Sequence, residues 1–231
     1  MSSPFLTATW RHLVLLNWRV NEDLLVPHLP SGVELDRWDG DCWASLVGFQ
    51  FLHMSVKGVP AFGYRDFPEI NLRFYVKRQV NGETRRGVVF IREITPHLMV
   101  GWIARALYNE PYITMPMRQS VDESRALYQL QIDGQWQGLG VRTAGAWRDQ
   151  DEAELFITEH YWGYNTQRNG DAMEYQVEHP TWRARSTELE CLDLDIEKLY
   201  GAQWAKALGA KPDSMAFAEG SGVTVRSGVR I

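Results

Sequence analysis

Residues Phe67 to Val76, reading Phe-Pro-Glu-Ile-Asn-Leu-Arg-Phe-Tyr-Val, constrain the fold of this chain more than any other stretch. From Glu69 the alternation is unbroken: Ile70, Leu72, Phe74 and Val76 share one parity, and Glu69, Asn71, Arg73 and Tyr75 the other. Successive side chains of an extended chain point to opposite faces, so this is a strand with one apolar and one hydrogen-bonding face. The polar row sets an acid, an amide, a guanidinium and a phenol along roughly 20 Å of strand. Facing water, the row is an ordinary solvated surface held by cross-strand pairs. Facing a barrel interior, it is the floor of a binding site.

The flanking segments read mostly as strands. Thr9–Val20 is one, and Asn21 caps a short helical turn stopped by Pro27 and Pro30. Asp39-Gly40 is a tight-turn signal between 33–38 and the apolar run 42–51, and residues 55–66 read as a loop. Asn81-Gly82 leads into a strand over 87–94. Thr95-Pro96 then opens a helix over 97–108 that must stop before Pro111. A strand over 112–118 is interrupted by Pro116, and Asp133-Gly134 joins 126–132 to 135–144 as a hairpin. The Asp151-x-x-Glu154 pattern starts a second helix running towards Tyr164. Strands follow at 174–178 and 182–190. Asp195 caps a third helix over 196–208 ended by Gly209, and strands at 215–219 and 223–231 flank a turn at Gly220-Ser221-Gly222. Isolated helices between many strands argue for a β-barrel or sandwich rather than a doubly wound sheet.

Composition narrows the partners. The formal net charge is −5, with 24 basic residues and no basic run, which argues against nucleic acid and anionic membranes. No linker, repeat or low-complexity tract divides the 231 residues, so a single domain over 1–231 is expected. The start of the chain shows no signal-peptide pattern, its longest early apolar run being Leu13–Leu16, and no span could cross a membrane as a helix. Cys42 and Cys191 form no CxxC pair; two reduced thiols in a cytoplasmic protein is the simplest reading, a single long-range disulfide the alternative.

The residue types that carry chemistry are sparse. The six histidines, His12, His28, His53, His97, His160 and His179, never fall at H-x-H or H-x-x-x-H spacing, and there is no P-loop, dinucleotide fingerprint or G-x-S-x-G elbow. No metal or organic cofactor is expected. The polar row remains: Arg73 is suited to a bidentate grip on a carboxylate, and Arg105, on the helix leading to Pro111-Tyr112, is a second anion holder or simply a helix-end cation. If the row faces inward, its apolar parity should pack against outer helices. Arg73 then needs a partner other than Glu69, which lies about 13 Å along the strand.

The chain resembles the YqjF-like family of uncharacterised bacterial proteins, relatives in fold of acetoacetate decarboxylase. The resemblance rests on Phe67–Val76; Gly87-Val88-Val89-Phe90; Ala104-Arg105 followed by Pro111-Tyr112 and Met115; Leu155–Glu159 with Tyr161; and His179-Pro180-Thr181-Trp182. It implies a mostly antiparallel, cone-like β-barrel with about three helices outside, enclosing a cavity. The candidate residues for that pocket are Glu69, Asn71, Arg73, Tyr75, Arg105 and Tyr112. The decarboxylase carries a Schiff-base lysine after its arginine-bearing helix; here the equivalent segment is similar to Pro111-Tyr112-Ile113. None of the five lysines lies nearby in sequence, so amine catalysis does not carry over. Where the family more often shows arginine, this chain has His160. Two functions follow as expectations. One is binding of a small, possibly anionic organic molecule. The other is an enzyme acting on a small carboxylate or carbonyl compound, with Glu69 as acid or base and Arg73 or Arg105 holding the substrate. A second titratable group within reach of Glu69 would favour the enzyme.

Overall fold

The computed structural model of the protein describes residues 4–61, 63–98 and 109–231. Among them are sixteen strands: β1 (Pro4–Val20), β2 (Glu34–Leu35), β3 (Arg37–Trp38), β4 (Asp41–Val56), β5 (Val59–Pro60), β6 (Phe67–Val80), β7 (Glu83–Thr95), β8 (Tyr112–Thr114), β9 (Met117–Val121), β10 (Arg125–Ile132), β11 (Gln135–Arg148), β12 (Trp162–Thr166), β13 (Ala172–Glu178), β14 (Ala184–Leu192), β15 (Ser214–Arg226) and β16 (Val229–Arg230). The helices are short: α1 (Glu22–Leu25), α2 (Glu152–Thr158), α3 (Ile196–Tyr200) and α4 (Ala202–Leu208).

Pairing runs β13-β12-β7-β6-β4-β1-β15, and β13 also pairs with β15, so the path of hydrogen-bonded strands returns to its start. All of these pairs are antiparallel except β7 with β12. From β15 a second branch continues through β14, β11, β10 and β9 and lies over the outside of the circuit.

The alternation of β6 sorts its side chains between two apolar clusters. Ile70, Leu72, Phe74 and Val76 join an outer cluster with Leu46, Tyr128, Leu130, Leu139 and Val141, and with Leu199, Trp204 and Leu208 from α3 and α4. The cover expected to be helical is therefore largely a second layer of sheet, because 126–132 alternates so as to present Ala126, Tyr128, Leu130 and Ile132 on one face. Packing is close here: a Cβ added to Gly48 would lie 2.8 Å from the Tyr128 ring. The other parity, with Val47, Phe49 and Phe51 of β4 and Leu13 and Leu15 of β1, faces the interior.

Several elements differ from expectation. The segment 33–38 splits at Asp36: Leu35 pairs with Val76 of β6, while Arg37 pairs with Cys42 of β4. Within the expected loop over 55–66, β5 forms a small hairpin with the end of β4. Helix α2 stops at Thr158, because Trp162–Thr166 is drawn into the sheet between β7 and β13. The helix over 196–208 breaks into α3 and α4 at Gly201, whose φ of 98° is open to glycine and strained for other residues. Gly220-Ser221-Gly222 is no turn but part of the continuous β15, paired with Arg11, Trp10 and Thr9. The expected helix over 97–108 falls largely on residues 99–108, outside those described.

Candidate functional site

On the inward face of β6, Glu69, Asn71 and Arg73 line a cavity of about 140 Å³. A cavity of about that size holds a molecule like benzene. Its walls are aromatic and aliphatic, with Trp10, Phe49, Phe51, Phe90 and Trp182 among them. Tyr75 shares this face without reaching the wall. It is buried with its hydroxyl 2.5 Å from Ser45 Oγ, and its ring packs on His160 and Phe156. Arg105 lies outside the described residues.

Two further carboxyls join Glu69 on the cavity wall. Glu93 of β7 is paired across the ladder with Asn71. A β-bulge between Leu72 and Arg73 leaves Ile91 as the extra residue, so that Arg73 faces Phe90. Ile91 packs on the outer cluster and Arg92 reaches the Leu199 carbonyl, while Glu93, Phe90 and Val88 all line the cavity. Glu110 arrives with β8, which runs parallel to β7 and sets Tyr112 beside Glu93. Sequence reasoning missed both. Glu93 stands beside Arg92 in a stretch whose alternation the bulge breaks, so no sequence pattern marked its face, and Glu110 followed a stretch read only as a helix end.

The polar groups partly satisfy one another. The Tyr112 hydroxyl donates to Glu69 Oε2 at 2.9 Å, and Asn71 Nδ2 donates to Glu69 Oε1 at 3.1 Å. The Tyr175 hydroxyl and Asn165 Nδ2 both donate to Glu110 Oε1, at 2.7 and 2.9 Å. Tyr175 reaches it because the facing residue is Gly163, where a Cβ would stand 2.1 Å from the tyrosine ring. Arg73 is half-buried and ion-paired to none of the described carboxylates; its Nη2 donates to the Ile157 carbonyl at the end of α2, at 3.2 Å. The Asp151–Glu154 capping box and the Arg148–Glu154 pair, at 2.7 and 2.8 Å, hold that helix in place. Among the described residues, Asn71 Oδ1, Arg73 Nε, Glu93 Oε2, Glu110 Oε2 and His160 Nδ1 are buried without a hydrogen-bond partner.

Burial dominates the electrostatics. It pushes Glu69 up to about 7, against the pull of the Asn71 and Tyr112 hydrogen bonds and the Arg73 charge. Glu110 also rises to about 7, through burial, despite its bonds from Asn165 and Tyr175. Glu93 is driven well above the carboxylate range by burial and then by the charges of Glu110 and Glu69. At neutral pH the cavity therefore holds carboxyl groups in both protonation states, with the Tyr112 hydroxyl bonded to Glu69.

Behind this floor, His160 Nε2 lies 3.2 Å from Asp36 Oδ2, which also accepts from Arg86 Nε at 2.6 Å. The split of 33–38 is what places Asp36 there. Among the described residues no group of His, Cys, Asp and Glu is arranged to hold a metal ion. None of the lysines lines the cavity, and among the described residues no helix is long and apolar enough to cross a membrane.

The architecture is that of acetoacetate decarboxylase-like proteins. The chain superposes on the acetoacetate decarboxylase of Legionella pneumophila with a TM-score of 0.69 at 13% identity, over 100% of this chain and 88% of that one. The enduracididine biosynthesis enzyme MppR, solved with the condensation product of pyruvate and imidazole 4-carboxaldehyde, gives a TM-score of 0.65 at 15% identity, over 99% and 90%. The chain belongs to the DUF2071 family of uncharacterized conserved proteins, whose model matches residues 7–222. It is 26% identical over 191 residues to the uncharacterized protein YqjF of Bacillus subtilis, covering 79% of this chain and 76% of that protein.

Proposed function

We propose that the protein binds a small organic molecule in the cavity, its apolar body against the aromatic walls and its polar end on the floor made by Glu69, Asn71, Arg73, Glu93 and Glu110. The observation that carries this reading is a largely apolar cavity whose wall includes the polar side chains Glu69, Asn71, Arg73, Glu93 and Glu110. A few polar groups in a mostly apolar pocket fix the orientation of a small ligand. An anionic ligand would engage Arg73. Nuclear magnetic resonance titration with toluene and benzoate tests the reading. Both should bind, and Val47→Trp, which fills the cavity, should abolish both. Toluene binding unaffected by that substitution would overturn the reading.

A second reading is acid–base catalysis on a small carbonyl compound or carboxylate. It is favoured by the two titratable groups at Glu69: Tyr112, bonded to it, and Glu93 beside Tyr112. An ionised Glu69 would take a proton from the carbon next to a carbonyl, and a neutral Glu93 would hydrogen-bond the enolate oxygen. Deuterium exchange into the methyl group of pyruvate, lost in Glu69→Gln, is the expected result; exchange no faster than in buffer rules it out. Two unbridged cysteines, Cys42 and Cys191, support a cytoplasmic location. The absence of a basic run in the sequence supports a partnership with neither nucleic acid nor anionic membranes.

A further inference from the structure

Arg73 and His179 both line the cavity, are both partly exposed, and each keeps an accessible polar atom that no described residue engages. In Arg73, Nη2 donates to the Ile157 carbonyl at 3.2 Å and Nε is buried, while Nη1 is neither buried nor hydrogen-bonded to any described residue. In His179, Nδ1 lies 3.0 Å from the Pro180 carbonyl. A carbonyl only accepts, so the proton of the neutral imidazole sits on Nδ1 and Nε2 is a bare lone pair. The two ring nitrogens point away from each other, so Nε2 is turned from Pro180, and it is neither buried nor bonded to a described residue. Burial, opposed by the Pro180 bond and the Glu159 charge but reinforced by the Arg73 charge, lowers His179 below the ordinary imidazole range and keeps it neutral at pH 7.

Both side chains lie at the end of α2. Arg73 is tied to Ile157 there, with the Tyr75 ring 5.7 Å from its guanidinium carbon. The His179 ring stacks on Trp182 at 4.2 Å, centroid to centroid, and packs on Tyr161 at 4.8 Å. Glu159 joins the two segments, its Oε2 accepting from the Tyr161 hydroxyl and, at 3.0 Å, from Thr181 Oγ1. A charged donor and a neutral acceptor are thus held at one end of a largely apolar cavity.

We propose that the ligand is a small hydroxy acid, its carboxylate accepting from Arg73 Nη1 and its hydroxyl donating to His179 Nε2. The inference rests on the reading that the cavity takes a small ligand, and it adds the chemical class. A simple carboxylate would satisfy Arg73 and leave Nε2 without a donor. An ammonium donor in place of the hydroxyl would stand beside the Arg73 guanidinium and be repelled by it.

The test uses two pairs of anions, lactate with isobutyrate and β-hydroxybutyrate with isovalerate. Within each pair a methyl group replaces the hydroxyl at nearly constant shape. Each anion, and toluene as the probe of the cavity itself, is titrated into the wild-type protein, His179→Phe and Arg73→Gln by calorimetry. Phenylalanine keeps the stack on Trp182 and removes the acceptor, and comparing ratios between proteins cancels the different hydration of hydroxyl and methyl. In at least one pair the preference for the hydroxy acid should fall about fivefold in His179→Phe, with the methyl acid bound as before. Arg73→Gln should weaken both acids of that pair about tenfold. Preferences unchanged by His179→Phe in both pairs, or acids indifferent to Arg73→Gln, overturn the hydroxy-acid assignment and leave the binding reading standing while toluene still binds. Failure of the wild-type protein to bind toluene overturns both.

A variant that does not fold is guarded against by a measurement on the wild-type protein. The imidazole nitrogen resonances of His179 should show the proton on Nδ1 and none on Nε2, and a hydroxy acid should shift Nε2 more than its methyl counterpart does. A proton on Nε2, or equal shifts within both pairs, overturns the proposal.

Discussion

The Tyr112 hydroxyl donates a 2.9 Å hydrogen bond to Glu69 Oε2, joining a residue of β8 to one of β6 across the intervening β7. This bond opposes the burial that raises Glu69. Tyr112→Phe should therefore move Glu69 above about 7 and leave it more protonated at neutral pH. The variant should also lose about 1–2 kcal/mol of stability, because a buried carboxyl oxygen is left unpaired. Carbon-detected titration of the glutamate carboxyls and denaturant unfolding read the two effects separately.

Stability should depend on pH through two opposed contributions. Unfolded glutamates ionise near 4.5, whereas Glu69 and Glu110 hold their protons up to about 7 in the folded protein. The folded state then binds more protons, so this contribution is lost as pH rises from about 4.5 to about 7. His160 acts the other way. The unfolded imidazole takes up a proton below 6.5 that the folded one refuses until about 4, so stability is lost as pH falls through that window. Glu69→Gln should shift the pH of greatest stability upward, and His160→Phe should shift it downward. Unfolding midpoints measured from pH 4 to pH 8 check both signs, and a common direction of shift would refute the assignment.

Gly163→Ala should destabilise the protein by about 1–3 kcal/mol, the usual cost of forcing atoms into a filled site. The added methyl would stand 2.1 Å from the Tyr175 ring. Tyr175 must then move, and its 2.7 Å bond to Glu110 is lost with it. Glu110 in the variant should titrate higher than in the wild type, which the same carboxyl resonances report.

Incubation with acetoacetate and borohydride should give no covalent adduct detectable by mass spectrometry. An imine needs a lysine at the reacting carbon, and none of the five lysines lies on the cavity wall. Tyr112, which does line the cavity, is a phenol and forms no imine. A stable adduct on any lysine would overturn this expectation.

What the sequence made legible was period and punctuation. The alternation of 69–76 set Glu69, Asn71 and Arg73 on one face, and Asp39-Gly40 and Asp133-Gly134 marked turns between strands that do pair. Isolated helices within many strands agree with the acetoacetate decarboxylase-like architecture. What escaped reading depends on which strands meet. No local pattern says that 126–132 covers β6, that Tyr164 belongs to a strand and not to a helix, or that Gly201 interrupts a run of good helix formers. The site was half-read for the same reason. Glu69 and Asn71 lie on one strand, whereas Glu93, Glu110 and His160 come to the cavity from three other segments by strand pairing and chain crossing.

The bulge at Ile91 bears on how this chain tolerates gain and loss of residues. Ile91 and Arg92 both leave the inner face, so β7 carries one residue more than its ladder with β6 requires. Removing Ile91 would restore simple alternation with Glu93, Phe90 and Val88 still inward, whereas removing Val89 would turn Val88 towards the opposite face. A deletion at this bulge would change the curvature of β7 without exchanging what the cavity sees.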